Sequence, residues 1–288
     1  MNLVDLREKG SSRLKFFKSK VRSWWLKLLG PRACGVFVET DWGFMLLDPR
    51  DAHVSRQLLR TGAYNREEVS FLGNFLKPSD RMLIVGGHIG ALAIPLGKSV
   101  KSLDVVEANP ESFKLLEANV SLSRLTNLSV WNWAAANEEG ALDFLVSSEN
   151  SGGSKRLPVT GAAKYMYDKP KILTVSCRRL DDAFPQDFDV ILMDIEGSEY
   201  AAMRGAQRLL QNCRVFVFEF IPDHLRNVAG VDFEDFFEAL PVKDFDRALL
   251  PRHAKDIPIS QLRGVLQELY VQNEYEDGVL MLKERLTS

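Results

Sequence analysis

The chain is short of cysteine: 288 residues hold only Cys34, Cys177 and Cys213, and no two stand at C-x-x-C spacing. An odd, scattered set argues against a disulfide framework or a cysteine-built zinc site and points to a reducing, cytoplasmic compartment. Long hydrophobic runs are lacking too. None approaches the ~20 residues that cross a bilayer, so no transmembrane helix is expected. Charge of one sign is also missing, with 37 basic against 39 acidic side chains and a net charge of −2. A dedicated nucleic-acid binder would carry a marked basic excess, so no nucleic-acid partner is expected. Repeats and low-complexity tracts are absent. The 45% hydrophobic and 26% charged residues that remain describe a globular protein with a sizeable core.

The charge is unevenly spread. From Lys9 to Val38 there is no acidic residue, but Lys9, Arg13, Lys15, Lys18, Lys20, Arg22, Lys27 and Arg32 occur, interleaved with Phe16, Phe17, Trp24, Trp25, Leu28 and Leu29. Residues 1–40 therefore read as a basic, aromatic, helical N-terminal segment. It either packs its aromatics on the main domain with its lysines in water, or makes peripheral contact with an anionic membrane through residues 9–29. Lys27 interrupts the short apolar stretch Trp24–Leu29, which argues against a secretory signal.

Residues 41–288 read as one domain: a lead-in over 41–80, a core over 81–225 and a C-terminal completion over 226–288. Past Cys34, β-like runs at Val36–Glu39 and Gly43–Leu47 lead to helices at His53–Arg60 and Asn65–Leu76. From Arg81 buried strands and helices alternate. Strands are expected at Arg81–Val85, Ser102–Glu107, Leu128–Ala134, Val190–Met193 and Val215–Phe220, and helices at Ile89–Gly97, Pro110–Ser121 and Glu199–Leu210. Helices follow at Phe233–Leu240 and Ser260–Tyr270, and a last strand, Gly278–Lys283, pairs antiparallel at or near the sheet edge. Such alternation predicts an α/β fold: a doubly wound, mostly parallel sheet of seven strands with helices on both faces. Ala141–Val146 and Ile172–Cys177 bracket the glycine- and serine-rich stretch Ser147–Pro170, long enough to be a lid or binding loop. Ligands of such folds bind where the strands end.

At the end of the first strand stands Val85-Gly86-Gly87-His88-Ile89-Gly90. Glycines here let the backbone turn sharply and approach a ligand closely. Twenty-one residues after Gly86, at the end of the second strand, Glu107 is placed to accept both hydroxyls of a ribose. The pairing suggests a nucleoside-containing cofactor. A dinucleotide site needs G-x-G-x-x-G, which is absent, and Gly97-Lys98-Ser99 lacks the first glycine of a P-loop because position 92 is Leu92. S-adenosylmethionine, which needs only a looser glycine turn and the ribose acid, remains.

Other phrases in the chain resemble those of a known family. Val106-Glu107-Ala108-Asn109-Pro110-Glu111 is similar to the E-P-N-P of FkbM-type methyltransferases. Met193-Asp194-Ile195-Glu196-Gly197-Ser198-Glu199, followed by Arg204-Gly205-Ala206, resembles that family's I-D-V-E-G-x-E…K-G-A block. Asp51, Gly62-Ala63-Tyr64 and Glu67, and later Leu180-Asp181-Asp182, resemble its remaining landmarks, so the likeness covers roughly residues 45–225. It implies a Rossmann-like, class I S-adenosylmethionine-dependent methyltransferase that methylates oxygen on a small molecule or glycan. Ile84 and Leu192 depart from the pattern, standing where the family carries Asp and Lys. A methyltransferase-fold protein that binds without catalysing is therefore the alternative function.

On this reading Glu107 holds the ribose, with Ala108 and Asn109 beside it. The backbone of Gly86, Gly87 and Gly90 shapes the methionine pocket, and His88 faces it. Asn132, Trp133 and Ala134 occupy the adenine position, although Trp131 and Trp133 can equally be one face of a core strand. Asp194, Glu196 and Glu199 crowd the fourth strand's end, where repulsion would raise one pKa and favour a base; Glu199 can instead simply favour its own helix N-terminus. His224, beside Glu219, is a further candidate base. No ligand spacing demands a metal. The acceptor side falls to the N-terminal helices, the 147–170 loop and the C-terminal segment.

Overall fold

The computed structural model describes residues 33–283, apart from 148, 161 and 167. Its main sheet has eight strands: β1 (Arg81–Val85), β2 (Ser102–Val106), β3 (Leu128–Trp131), β4 (Val190–Met193), β5 (Val215–Phe220), β6 (Arg247–Leu250), β7 (Lys255–Pro258) and β8 (Glu276–Leu282). Their order in space is β7-β6-β8-β5-β4-β1-β2-β3. The run from β5 to β3 is parallel, and β8, β6 and β7 are antiparallel to their neighbours.

The apolar strands follow from burial on both faces. In β1, Leu83 and Val85 point into one core cluster with Phe216, Phe218 and Met193. Met82 and Ile84 point into the other with Val105, Leu192 and Val217. A strand with no solvent face cannot alternate polar with apolar residues, hence the uninterrupted Met82-Leu83-Ile84-Val85.

The chain winds from β1 outward to β3, then returns to place β4 on the other side of β1. The winding order therefore reverses between the parallel strands β1 and β4, and the crevice outside their C-terminal ends is where such folds bind ligands. Gly86, Glu107 and Asp194 follow directly on β1, β2 and β4. A separate four-stranded sheet, ordered Ala134–Ala135, Lys171–Arg178, Gly140–Val146, Lys155–Arg156, carries the 147–170 segment alongside this crevice.

Several sequence expectations are corrected. The sheet has eight strands rather than seven because the hairpin β6–β7 extends it. Both strands are only four residues long, and β7 is half-polar and never fully buried, so neither shows a hydrophobic run. The last strand consequently lies inside the sheet, between β5 and β6. Within the expected helix Ile89–Gly97 only Ala93–Gly97 is helical, since Gly90 still turns with φ +90°. The third strand stops at Trp131, and Ala134–Ala135 joins the second sheet. The expected helix Glu199–Leu210 is two helices, Glu199–Arg204 and Gln207–Asn212, broken where Gly205 passes so near the Ala136 carbonyl that a Cβ would lie 2.0 Å from it.

Nearly all of the expected N-terminal helix, including residues 9–29, lies outside the described residues. The expected β-like runs Val36–Glu39 and Gly43–Leu47 are strands, Val36–Thr40 pairing with Gly43–Leu47 as a hairpin, so the helical reading of residues 1–40 does not hold for 36–40. Asn119, fully buried on helix Pro110–Ser123, holds that hairpin. It accepts from the Leu46 N–H at 2.5 Å and donates to the Leu46 and Ile89 carbonyls at 3.0 and 2.9 Å. Among the described residues no helix is long and apolar enough to cross a membrane.

Candidate functional site

Gly86 has φ +100°, and a Cβ there would stand 1.8 Å from the Asp194 carbonyl oxygen. Only glycine allows the exits of β1 and β4 to come that close. The Gly86 and Gly87 N–H groups donate to the Val106 carbonyl at 2.9 and 3.1 Å, which pins the turn to the end of β2. Glu107 stands next in the chain. Its carboxylate is buried, accepting from the His88 N–H at 2.6 Å and from the Asn109 N–H at 2.7 Å. Among the described residues it has no ion-pair partner. Burial raises its carboxyl to about 7, although the backbone N–H bonds pull the other way.

A cleft opens beside this carboxylate. It is lined by Gly86, Gly87, His88, Glu107, Ala108, Ala134, Asp194 and Glu196 from the expected set. Tyr64, Leu142, Phe144, Asn150, Ser151, Gly152 and Ser154 complete much of the wall. The 147–170 segment thus does reach the cleft, and Ser151 Oγ lies 2.7 Å from His88 Nε2. Burial lowers the His88 pKa against the pull of Asp51, Asp48 and Glu196.

Five expected residues lie behind the lining rather than on it. Gly90 packs against Leu116 and Ile94. Asn109, buried, caps helix Pro110–Ser123 by accepting from the Glu111 N–H at 3.0 Å. Asn132 donates to the Glu107 carbonyl at 2.8 Å and so fixes the loop from outside. Trp133 is the clearest departure: its ring is buried in the core 5.9 Å from that of Phe184, so Leu142, Phe144 and Ala134 supply the apolar wall instead. His224 belongs to a different cluster.

That cluster is the acidic wall at the ends of β4 and β5. Asp194 faces the cleft, where water reaches it. The protein packed around it, together with Glu196 and Glu199, still pushes its carboxyl well above the ordinary carboxylate range. Glu199 is buried and braces the loop: its two oxygens accept from the Ile195 and Gly197 N–H groups, each at 2.9 Å. Burial lifts it to about 7 against those bonds. Glu219, on β5, is raised by burial and by Asp194, Glu196 and Glu199. His224 is lowered to about 4, first by burial and then by Lys155. Glu196, Glu219 and His224 converge, with a nitrogen or oxygen of each within 4.8 Å of the others. The positive charge at that point is the Lys155 ammonium, 2.9 Å from Glu196 Oε2 and 3.1 Å from His224 Nε2. Sequence reasoning missed Lys155, which sits in a stretch without periodicity.

A second cavity of about 850 Å³ meets the cleft at Tyr64, Asp194 and Glu196 and is further lined by Glu67, Glu68, Phe71, Glu219, Arg252 and Asp277. A drug-sized molecule fits such a volume.

The family model for the methyltransferase FkbM domain matches residues 85–248, more than half of the chain. The chain belongs to the FkbM methyltransferase family. Among solved structures, it is similar to methyltransferase FkbM from Methylobacillus flagellatus KT, with 16% identity, a TM-score of 0.42, and 72% of this chain and 44% of that one covered. Wild-type Trm5b from Pyrococcus abyssi shares 11% identity at TM-score 0.45, over 88% and 57% of the two chains. The M. jannaschii tRNA m1G37 methyltransferase shares 11% at 0.44, over 89% and 59%. In each case this FkbM-family chain spans less than two thirds of the solved chain's length. No curated protein matches it.

Proposed function

We propose that this FkbM-family protein is an S-adenosylmethionine-dependent methyltransferase acting on a hydroxyl of a small molecule or glycan. The observation that carries the reading is Glu107: a buried carboxylate without a counter-ion among the described residues, held by two backbone N–H groups beside a glycine turn into which no Cβ fits at Gly86. A carboxylate held in that way keeps lone pairs free for a ribose diol, and the residues present fit the cofactor. Glu107 would hold the ribose, the Gly86–His88 backbone the methionine end, and Ala134, Leu142 and Phe144 the adenine. S-adenosylmethionine, when bound, supplies a methyl group already activated on a sulfonium.

What the protein then contributes is alignment and deprotonation. Asp194 stands where the cleft and the second cavity meet, within reach of a hydroxyl entering from the cavity. Burial by the surrounding protein, and then the neighbouring carboxylates, make Asp194 a stronger base than an isolated aspartate. Glu196 and His224 already bind Lys155 and are less free to take the proton. The second cavity, bounded by the lead-in segment and the C-terminal strands, is the acceptor chamber on this reading.

Calorimetric titration with S-adenosylmethionine tests the proposal. Saturable binding is expected, and no heat up to millimolar cofactor would contradict it.

A further inference from the structure

The 147–170 segment does more than line the cleft. Its strand Lys155–Arg156 pairs with Gly140–Val146 and directs one lysine side chain inward. That side chain is only 7% exposed. Its ammonium lies 2.9 Å from Glu196 Oε2, 3.1 Å from His224 Nε2 and 5.1 Å from the centre of the Tyr165 ring. Four residues earlier, Ser151 contacts His88 in the cofactor cleft. One stretch of chain therefore joins the cleft to the acidic wall.

An ammonium has donors and no acceptor. The nitrogen it meets on His224 must present a lone pair, which leaves the imidazole neutral with its proton on Nδ1. That Nδ1 is buried and has no hydrogen-bond partner among the described residues, and Glu219 Oε2 is 4.0 Å away. The charged and titratable groups around the ring come from every neighbouring element: Lys155 on its strand, Glu196 after β4, Glu219 on β5, Asp223 in the ring's own turn, and Lys164 and Tyr165 beside it. Burial opposes a charged imidazole most, Lys155 and Lys164 oppose it further, and Glu196 and Asp223 favour it.

We infer that Lys155 is a positioning residue, which neutralises Glu196 and fixes His224 in its Nδ1–H form, so that seating of the 147–170 segment and arrangement of the acidic wall are one event. With Nε2 occupied, His224 cannot accept a proton from a substrate there, and the base falls to the carboxylates of the wall. The inference rests on the methyl-transfer reading for its purpose and on the Lys155 contacts for its substance.

The test is side-chain 15N spectroscopy of histidine in the full chain near neutral pH without cofactor, with His224→Gln assigning the signal among the chain's four histidines. Wild-type His224 should be the Nδ1–H tautomer. In Lys155→Met it should shift to the Nε2–H or the charged form, and Lys155→Arg should restore the wild-type signal. An Nε2–H tautomer in the wild type, which needs no variant to fold, would overturn the inference, and so would an unchanged signal in Lys155→Met. Because no cofactor is present, either result leaves the Glu107 reading standing, and failure of cofactor titration would leave the tautomer result standing.

Discussion

Ile84 on β1 and Leu192 on β4 are register partners across adjacent parallel strands, and both are buried in one apolar cluster. These are the two positions at which the sequence departs from the family pattern, where Asp and Lys are expected. The departures are one event in space. Removing one member of a buried charge pair leaves an uncompensated charge, whereas replacing both with packed apolar residues is often neutral or stabilising. The Ile84–Leu192 pair therefore keeps the sheet sound, and it leaves Gly86, Glu107 and Asp194 in place.

Ile84→Asp alone should destabilise the protein by about 3 kcal/mol or more, because it buries a charge with no partner. Leu192→Lys alone should do likewise. The double variant should recover at least about 1 kcal/mol relative to additivity, as contacting sites do. Urea unfolding of the four proteins measures the cycle.

Gly86→Ala should be among the most damaging small substitutions in the chain. The residue has φ +100°, and the new Cβ would meet the Asp194 carbonyl at 1.8 Å, against backbone rather than a yielding side chain. A loss of about 2–4 kcal/mol is expected, allowing for both strain and collision. Thermal unfolding measures it, and cofactor binding should fall with it because the exits of β1 and β4 must separate.

Glu199 gives a pH prediction with a definite sign. Its folded pKa is raised, to about 7, so the folded state prefers the protonated form. Its contribution is most favourable below the ordinary glutamate pKa and is lost as pH rises toward and through about 7. Glu199→Gln lacks that titration. Relative to wild type it should gain stability between about pH 5 and pH 8, read as the difference in unfolding midpoint at the two pH values. A difference that shrinks or reverses would place Glu199 ionised at low pH.

Much of this architecture could be read from the sequence because its strands are buried on both faces. Met82–Val85, Val190–Met193 and Val215–Phe218 are plain apolar runs, and Asn109-Pro110 marks a helix start that the Asn109 side chain does cap. What escaped was set by tertiary contact. β7, with the sequence Lys-Asp-Ile-Pro, is a strand only because β6 offers it an edge. Gly205 breaks a helix only because Ala136 lies against it. In the site, Gly86, Glu107 and Asp194 are legible because each directly follows a readable strand. Trp133 was ambiguous because period-2 alternation does not say which face meets the core, and Phe184 settles that. Lys155 left no local signal, since its meaning comes from Glu196 and His224, 41 and 69 residues away.

The most direct measurement is the affinity of S-adenosylmethionine for wild type and for Glu107→Ala, taken by calorimetry on proteins shown to be folded. Loss of a charged hydrogen-bond partner is expected to cost roughly 1.5–3 kcal/mol, a weakening of about tenfold to 150-fold. Equal affinity in the two proteins would mean that this carboxylate does not hold the cofactor, and the account built on it would fail.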